Sequence, residues 1–539
     1  MPEDAATPDE LAAFLEAPGS YPHAPDDVEL VATHLSLVAL AGNRVYKAKK
    51  PVDLGFADFA TLEKRRHFCE EEVRLNRRLC SGIYEGVAPI RRDDGGELTF
   101  ADTGGAPVAY AVEMKRLPDG GFLDDRIDAG DAGEDELEQV AQRLAAFYRE
   151  REPAPAVAEE GRAENLRRST DENFEQTEAH AGTLLPGPAF EALRYYTNRF
   201  LDARAALLAR RRAEGRVLEG HGDLRLEHVH LAPFGDERED VCIYDCVEFS
   251  ERLRAVDVAS DVAFLAMDLD FHGRPGLALF FVRRMAALLD DPELPALVDF
   301  YKTHRAHVRA KVDAMQAEDD DLSPEKRAEQ RERAQAHYRQ ALQYAATGSG
   351  PAVIAVMGRV GTGKSTQAHA LAEALGSEVA RSDRVRKQIA GVPPRERPDE
   401  ATRAGLYSAE MTRKTYAALT DRALEAAEAK RPLVLDATFG KRAHRDALRD
   451  ALAEADGAHR VPHCFVELTA PDDAIKERLG AREGTSPLSD ARRSDFQMLA
   501  EGYEAPTALE DAFHFPACTE EGDPEATTTA ILKHLVRLL

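Results

Sequence analysis

Near the start of the last third of the chain, the run Gly358-Arg-Val-Gly361-Thr-Gly363-Lys364-Ser365 spells G-x-x-x-x-G-K-[ST]. Glycines at Gly358, Gly361 and Gly363 let successive backbone N–H groups turn inward on phosphate oxygens at a helix start, where the helix dipole also favours anions. Lys364 then reaches the β- and γ-phosphates of ATP, Ser365 offers an oxygen to Mg²⁺, and Thr366 carries the loop into the helix. A second apolar run, Arg431–Asp436, ends in a carboxylate suited to the same Mg²⁺ shell. Ala437-Thr438-Phe439 follows Asp436, with no adjacent Glu to activate water, which favours transfer to an acceptor over mechanical ATP hydrolysis. Asp383, in Arg381–Lys387, is a candidate base for the acceptor hydroxyl; its alternative is a helix N-cap. Arg478 and Arg482 lie four apart on one helical face before a Gly/Ser/Pro stretch. That spacing suits a closing lid that neutralises a transferring phosphoryl group, and equally a solvated charged helix.

A second set of such residues lies earlier. Gly220-His221-Gly222-Asp223 precedes an extended Val229–Leu231, and Asp245 follows Asp223 by 22 residues. One acid can orient and deprotonate an attacking hydroxyl while the other holds Mg²⁺ against nucleotide phosphates, and Asp223 and Asp245 fit those roles; a turn Asp with a structural His is the other reading. Strand alternation puts Lys47 and Lys49 on one face. A strand Lys paired with a helix Glu clamps the α/β-phosphates, and Lys47 with Glu72 is the first choice. Val112–Lys115, with Glu113, falls where the adenine would be held.

These residues need a scaffold. Val28–Val52 reads as a strand pair about Gly42-Asn43, Phe59–Leu79 as an amphipathic helix, and Val87–Ile90, Leu98–Phe100 and Val108–Met114 as strands. Helical patterns dominate from Glu134 to about His272, broken by a turn near His221–Asp223 and a short strand at Val241–Tyr244. The charged run Glu318–Tyr344 predicts a solvated spacer helix and Thr347–Pro351 a flexible hinge. Beyond it, Ala352–Met357 and Cys464–Leu468 read as strands and Thr366–Leu375 and Asp472–Arg482 as helices, a parallel α/β pattern. The domains are therefore expected at 1–117 (β-rich lobe), 118–317 (helical lobe), 318–350 (charged helix and linker) and 351–539 (phosphate-loop domain).

A net charge of -27 repels phosphate backbones and anionic lipid, so nucleic acid is a poor default partner. Either a high-salt cytoplasm or a GC-rich genome accounts for it. The six cysteines show no C-x-x-C pair, which predicts buried free thiols rather than a disulfide framework or zinc ribbon. An acidic amino terminus without a basic-then-apolar leader, and no apolar run of about 18 residues, predict a cytoplasmic chain without a membrane span.

Two resemblances follow. GRVGTGKST, RSDRVRKQIAG, LDATFGKRAHR and ERLGAREG with SDAR resemble the P-loop small-molecule kinases that include gluconate kinase and zeta-toxin-like kinases, over nearly all of 350–539. That resemblance implies contacts to phosphate or substrate from Arg442 or Arg445. Over roughly 28–310, the Lys/Glu pair, HGDLRLEHVHL and Asp245 resemble the aminoglycoside phosphotransferase branch of the protein-kinase-like fold. His228 stands where that family's Asn gives Mg²⁺ an oxygen, and imidazole is a poorer ligand for so hard an ion. Either Glu227 supplies the oxygen, or this half binds nucleotide without turnover. Asp257 and Asp261 are expected to stabilise the loop and the following helix.

The fold implied is a multidomain α/β and α+β chain: a bilobal protein-kinase-like half followed by a P-loop NTPase domain with a parallel sheet. The activity implied is transfer of the γ-phosphoryl of Mg·ATP to a small-molecule hydroxyl in both halves. One alternative is a single P-loop kinase gated by a nucleotide-binding pseudokinase; another is a zeta-toxin or polynucleotide-kinase-like activity.

Overall fold

In the computed structural model, Val28–Lys49 supplies three antiparallel strands, β1 (Val28–Ala32), β2 (Ser36–Ala41) and β3 (Arg44–Lys49). Gly42, at φ 60°, makes the tight turn between the last two, a conformation that costs glycine little. The structure describes residues 5–55, 57–231, 241–320, 322–393, 399–454, 461–482, 502–507, 510, 514–519 and 523–538. It divides into two compact units, 1–166 with 204–301 and 167–203 with 302–539.

In the first unit β4 (Tyr84–Arg92), β5 (Leu98–Thr99) and β6 (Ala109–Lys115) complete a mixed-order antiparallel sheet, β1-β2-β3-β6-β4-β5. One face packs Tyr21, Leu37, Ala39, Tyr46 and Ala111 with the helix Pro8–Glu16. Against the other face lies the helix Leu62–Asn76, capped by Thr61 Oγ1, which accepts from Lys64 N. Beside buried Val73 and Leu75 it buries a stripe with polar members: Arg65, Cys69, Glu72 and Asn76 recur at helical spacing and are all under 6% exposed. Polar groups this deep destabilise the fold unless partnered. Arg65 Nη1 donates to the Phe59 carbonyl, and Asn76 Oδ1 accepts from Cys246 N.

Farther on, β7 (Val217–Glu219) pairs with β10 (Ala255–Asp257) and β8 (Val229–His230) with β9 (Cys242–Ile243), among the helices Glu134–Arg149, Val258–Phe271 and Pro275–Leu288. Asp257 caps Val258–Phe271 through Ala259 N, and Asp261 accepts from His221 N at 2.7 Å and Gly222 N at 3.0 Å. Both acids are structural here, as the sequence led us to expect. The cysteine expectation needs correction: Cys80 and Cys242 form a disulfide, while Cys69, Cys246 and Cys464 are buried free thiols and Cys518 is exposed.

The second unit holds an all-parallel sheet in the order β12-β13-β11-β14-β15, with β11 (Val353–Met357), β12 (Glu378–Arg381), β13 (Leu433–Asp436), β14 (His463–Thr469) and β15 (His514–Cys518). Every residue of β11 and β13 is buried, as strands covered on both faces require. The chain leaves β11 toward β12 on one side and returns to β14 on the other, so a crevice opens at the carboxyl end of β11. The charged helix Pro324–Thr347 is not a solvated spacer. Its second half buries Ala334, His337, Tyr338, Leu342 and Tyr344 against the helices Gly187–Ala203 and Pro524–Leu538. Weakly apolar Ala, His and Tyr on that stripe hide it among charges. No described helix is long and apolar enough to cross a membrane.

Candidate functional sites

The glycine loop joins the end of β11 to the helix Lys364–Leu375. Gly358 lies at φ 132°, and a Cβ there would stand 2.3 Å from the Leu468 carbonyl; one on Gly361 would meet Ile475 at 2.8 Å. Backbone approach this close excludes any side chain. Gly363 is the left-handed residue just before the helix, and Thr366, one turn in, donates its N–H to the Gly363 carbonyl. Lys364 Nζ donates to the Arg359 carbonyl at 2.9 Å, arching over its own loop.

Ser365 Oγ donates to Asp436 Oδ2 at 2.7 Å, so the structure brings the two predicted oxygen ligands together. It adds a residue the sequence did not single out as a ligand neighbour. Arg381 is register partner to Asp436 across β12 and β13, and its guanidinium lies 3.3 Å from both Ser365 Oγ and Asp436 Oδ2. Position at the end of a strand was the available signal. Asp383 is in the first turn of the helix Ser382–Ile389, 3.8 Å from Arg386. The N-cap there is Arg381, so Asp383 is not the cap.

Two arginine readings change. Arg478 is not held out on a lid: it donates to Thr519 Oγ1 at 2.9 Å and Thr519 O at 2.7 Å, and Thr519 Oγ1 in turn donates to the Thr362 carbonyl. It braces the glycine loop from the side of β15. Arg445, 1% exposed, is committed to Glu510 and to the Phe439 and Glu504 carbonyls, which leaves it no phosphate role. Arg442 pairs with Asp446 at 3.4 Å. Arg482 closes the helix Asp472–Arg482, but its side chain and residues 483–493 fall outside the described residues.

The first unit gathers charged side chains instead. Lys47 Nζ lies 2.9 Å from Glu72 Oε1 and 2.7 Å from Asp245 Oδ1. Lys49 pairs with Glu72 at 2.7 Å and also with Glu248. Of the two lysines, Lys47 is the one open to a ligand, its side chain 18% exposed against 1% for Lys49. Burial by itself would raise the Glu72 carboxyl, but Lys47 and Lys49 outweigh it and hold Glu72 below its ordinary value. Asp245 is likewise opposed by burial and held far below the carboxylate range by Lys47. Glu248 goes the other way: burial dominates over Lys49 and raises it. Asp245 also sits at φ 61°, a left-handed conformation that strains a non-glycine residue and that clusters at functional sites.

Asp223 faces Arg225, whose Nε and Nη2 lie 3.3 and 3.2 Å from its Oδ2. His221 is wholly buried, its Nε2 donating to the Tyr244 carbonyl and its Nδ1 accepting from Asp223 N, so it staples the segment before Asp245 to the loop of Asp223. Burial pushes it down to about 4. Both ring nitrogens of His228, expected as an ion ligand, have protein partners here. Its Nδ1 donates to the Asp223 carbonyl at 2.8 Å, and its Nε2 is 3.2 Å from Arg225 Nη2, a group that can only donate. Glu113 is not brought to the others either. It pairs with Arg44 and Tyr46, and the register Lys47↔Val112 and Tyr46↔Glu113 puts its carboxylate on the opposite sheet face from Lys47. No group of three or more His, Cys, Asp or Glu forms a metal cluster among the described residues.

Known proteins resemble this chain over its carboxy-terminal part and over most of its length. A family model described as an AAA domain matches residues 353–506. Among solved structures, a gluconokinase from Sinorhizobium meliloti 1021 is 24% identical, covering 35% of this chain and 92% of its own, with a TM-score of 0.25. Chaetomium thermophilum Kti12 in complex with ADP-AlF3 is 19% identical, covering 34% of this chain and 98% of its own, with a TM-score of 0.27. Over nearly the full length, "Uncharacterized protein Rv2004c" of Mycobacterium tuberculosis and "Uncharacterized protein Mb2027c" of Mycobacterium bovis are each 31% identical across 460 residues, 85% of this chain and 86% of theirs. The chain therefore belongs to the family of these mycobacterial proteins, and its carboxy-terminal part is a P-loop domain, a nucleotide-binding fold.

Proposed function

We propose that the chain is an ATP-dependent phosphotransferase with two kinase-like modules, the first a bilobal protein-kinase-like half and the second a P-loop kinase, each transferring the γ-phosphoryl of Mg·ATP to a small-molecule hydroxyl. The observation that carries it is the oxygen pair at the mouth of the glycine loop, Ser365 Oγ and Asp436 Oδ2 2.7 Å apart. An all-oxygen donor pair suits a hard cation such as Mg²⁺. Bound there with nucleotide, Mg²⁺ supplies charge neutralisation for phosphoryl transfer. The glycine-loop N–H groups and Lys364 hold the β- and γ-phosphates, Arg381 adds positive charge beside them, and Asp383 takes the acceptor proton.

In the first unit Lys47, oriented by Glu72, holds the phosphates, Asp245 gives the ion its oxygen, and Asp223 takes the proton from the acceptor. Asp245 fits that ion; His228, whose ring nitrogens are both engaged, does not. That same engagement favours a second reading, in which the first unit binds nucleotide and regulates the P-loop unit without turning over.

Incubation with γ-labelled ATP and fractionated metabolite pools, comparing the unsubstituted chain with Lys364→Ala and Asp223→Ala, separates the readings. Unchanged ATP turnover and products in Lys364→Ala would overturn the P-loop assignment. Loss of one labelled product in Asp223→Ala supports two active modules. Full turnover there leaves the regulatory reading standing. Label appearing on nucleic-acid ends or nucleotide sugars would replace the small-metabolite acceptor with the end-kinase or toxin activity.

A further inference from the structure

The acids of the first unit surround a cation that belongs to the chain itself. Arg225 is held by Asp223 Oδ2 through Nε and Nη2, by Glu227 through Nη1, and its Nη2 lies 3.2 Å from His228 Nε2. Across the same imidazole nitrogen, Asp245 Oδ2 stands 3.5 Å away. The guanidinium thus pairs with the candidate base, and the His228 imidazole lies between it and the candidate ion ligand; the Arg225 side chain is only 14% exposed.

A metal ion on His228 would need the Nε2 lone pair, and that lone pair already faces an Arg225 N–H. His228 cannot turn its other nitrogen instead, because Nδ1 is fixed on the Asp223 carbonyl at 2.8 Å. Arginine keeps its charge at any working pH and presents its donors in a plane that matches phosphate oxygens. A fixed guanidinium in this place does electrostatically part of what a divalent ion does for a transferring phosphoryl group.

Resting on the reading of the first unit as a nucleotide site, we infer that Arg225 takes the place of a second divalent ion there, so that this site works with one ion, held by Asp245, rather than two. In the transfer, the bond from the acceptor oxygen to the γ-phosphorus forms and the bond to the bridging oxygen of ADP breaks. The hydroxyl proton goes to Asp223, while Arg225 bears on the phosphoryl oxygens. The departure of His228 from the Asn of the resembling family then has a physical meaning. An imidazole that accepts from Arg225 and donates to the Asp223 carbonyl positions the guanidinium.

The test counts ions. Mn²⁺ binding is followed by electron paramagnetic resonance in the full chain at saturating non-hydrolysable ATP analogue, with the P-loop site silenced by Lys364→Ala and Asp436→Ala and the background set by adding Asp245→Ala. One Mn²⁺ above background is expected in this parent and in Arg225→Lys, two in Arg225→Ala, and one again in Arg225→Ala with His228→Ala. Two ions in the parent, whose Arg225 is intact, would overturn the inference while leaving the nucleotide site in place. One ion in an Arg225→Ala protein that still binds the analogue would overturn it as well. No Mn²⁺ and no analogue bound in the parent would remove the nucleotide site, and the inference with it.

Discussion

In the proposed function the two candidate nucleotide sites meet the same anion by opposite means. In the second unit the candidate phosphate site is backbone, shaped by Gly358 and Gly361, which admit no side chain, with Lys364 bonded back to its own loop. In the first unit the binding charge is carried by side chains drawn from distant segments, with Lys47, Lys49, Glu72, Asp245 and Glu248 interlocked. A backbone site is made by local conformation and can lose its key lysine without loss of fold. A side-chain site of buried ions is part of the fold, and removing one member leaves its partner uncompensated.

That contrast sets the order of expected effects. Lys364→Ala should lower P-loop-dependent transfer by on the order of 10²–10³-fold, the scale of one pre-organised group lost from a transition state, with thermal unfolding nearly unchanged. A large drop in melting temperature would break the contrast from that side. Lys49→Met should do the reverse, destabilising the first unit by about 3–5 kcal/mol in denaturant titration because buried Glu248 loses its cation and Glu72 keeps only Lys47. Lys47→Met, at the more open position, should cost less stability and more nucleotide affinity. Equal effects of the two on both measurements would remove the distinction between the lysines.

Acid sharpens the comparison further. His221 in the first unit is pushed from 6.5 down to about 4 by burial, and burial also holds His307 in the second well below 6.5. In each case the unfolded chain takes up the proton more readily than the folded one, so this stability is complete above about pH 6.5 and is lost as pH falls. For His221 the loss runs between pH 6.5 and about 4. Urea midpoints measured across that window should fall in both units, and His221→Gln should flatten the slope in the first unit alone. The smallest effect belongs to Thr61→Ala, which removes the cap of the helix carrying Glu72 and should cost about 1 kcal/mol in the first unit, with P-loop transfer untouched.

The same contrast explains what could be read from the chain. A backbone phosphate loop is contiguous, so Gly358 through Ser365 and the strand and helix around it were legible directly. Side-chain sites were legible only where local geometry constrained them. Alternation put Lys47 and Lys49 on one face, but nothing in the sequence told which was open. Glu113 failed for the same reason: a reading by position along the chain missed that it pairs with Tyr46 rather than Lys47, and one residue of register reverses the face. Arg478 lay on the expected helix, yet its partner Thr519 follows a strand, His514–Cys518, whose proline and short apolar content gave no strand signal. Arg225 and Arg381 escaped notice because an arginine becomes part of a site only through the carboxylates the fold sets beside it.

Cys80 and Cys242 are separated by 162 positions, and the stretch they enclose includes 167–203, which the second unit takes. Once both units are unfolded, tension applied at the chain ends passes through the sulfurs, and the enclosed stretch bears none of it while the bond is intact. Reduction during stretching should therefore release a single added length of ~55 nm at about 3.4 Å per residue. The bond makes 80–242 a covalently closed ring, whatever it contributes to folding.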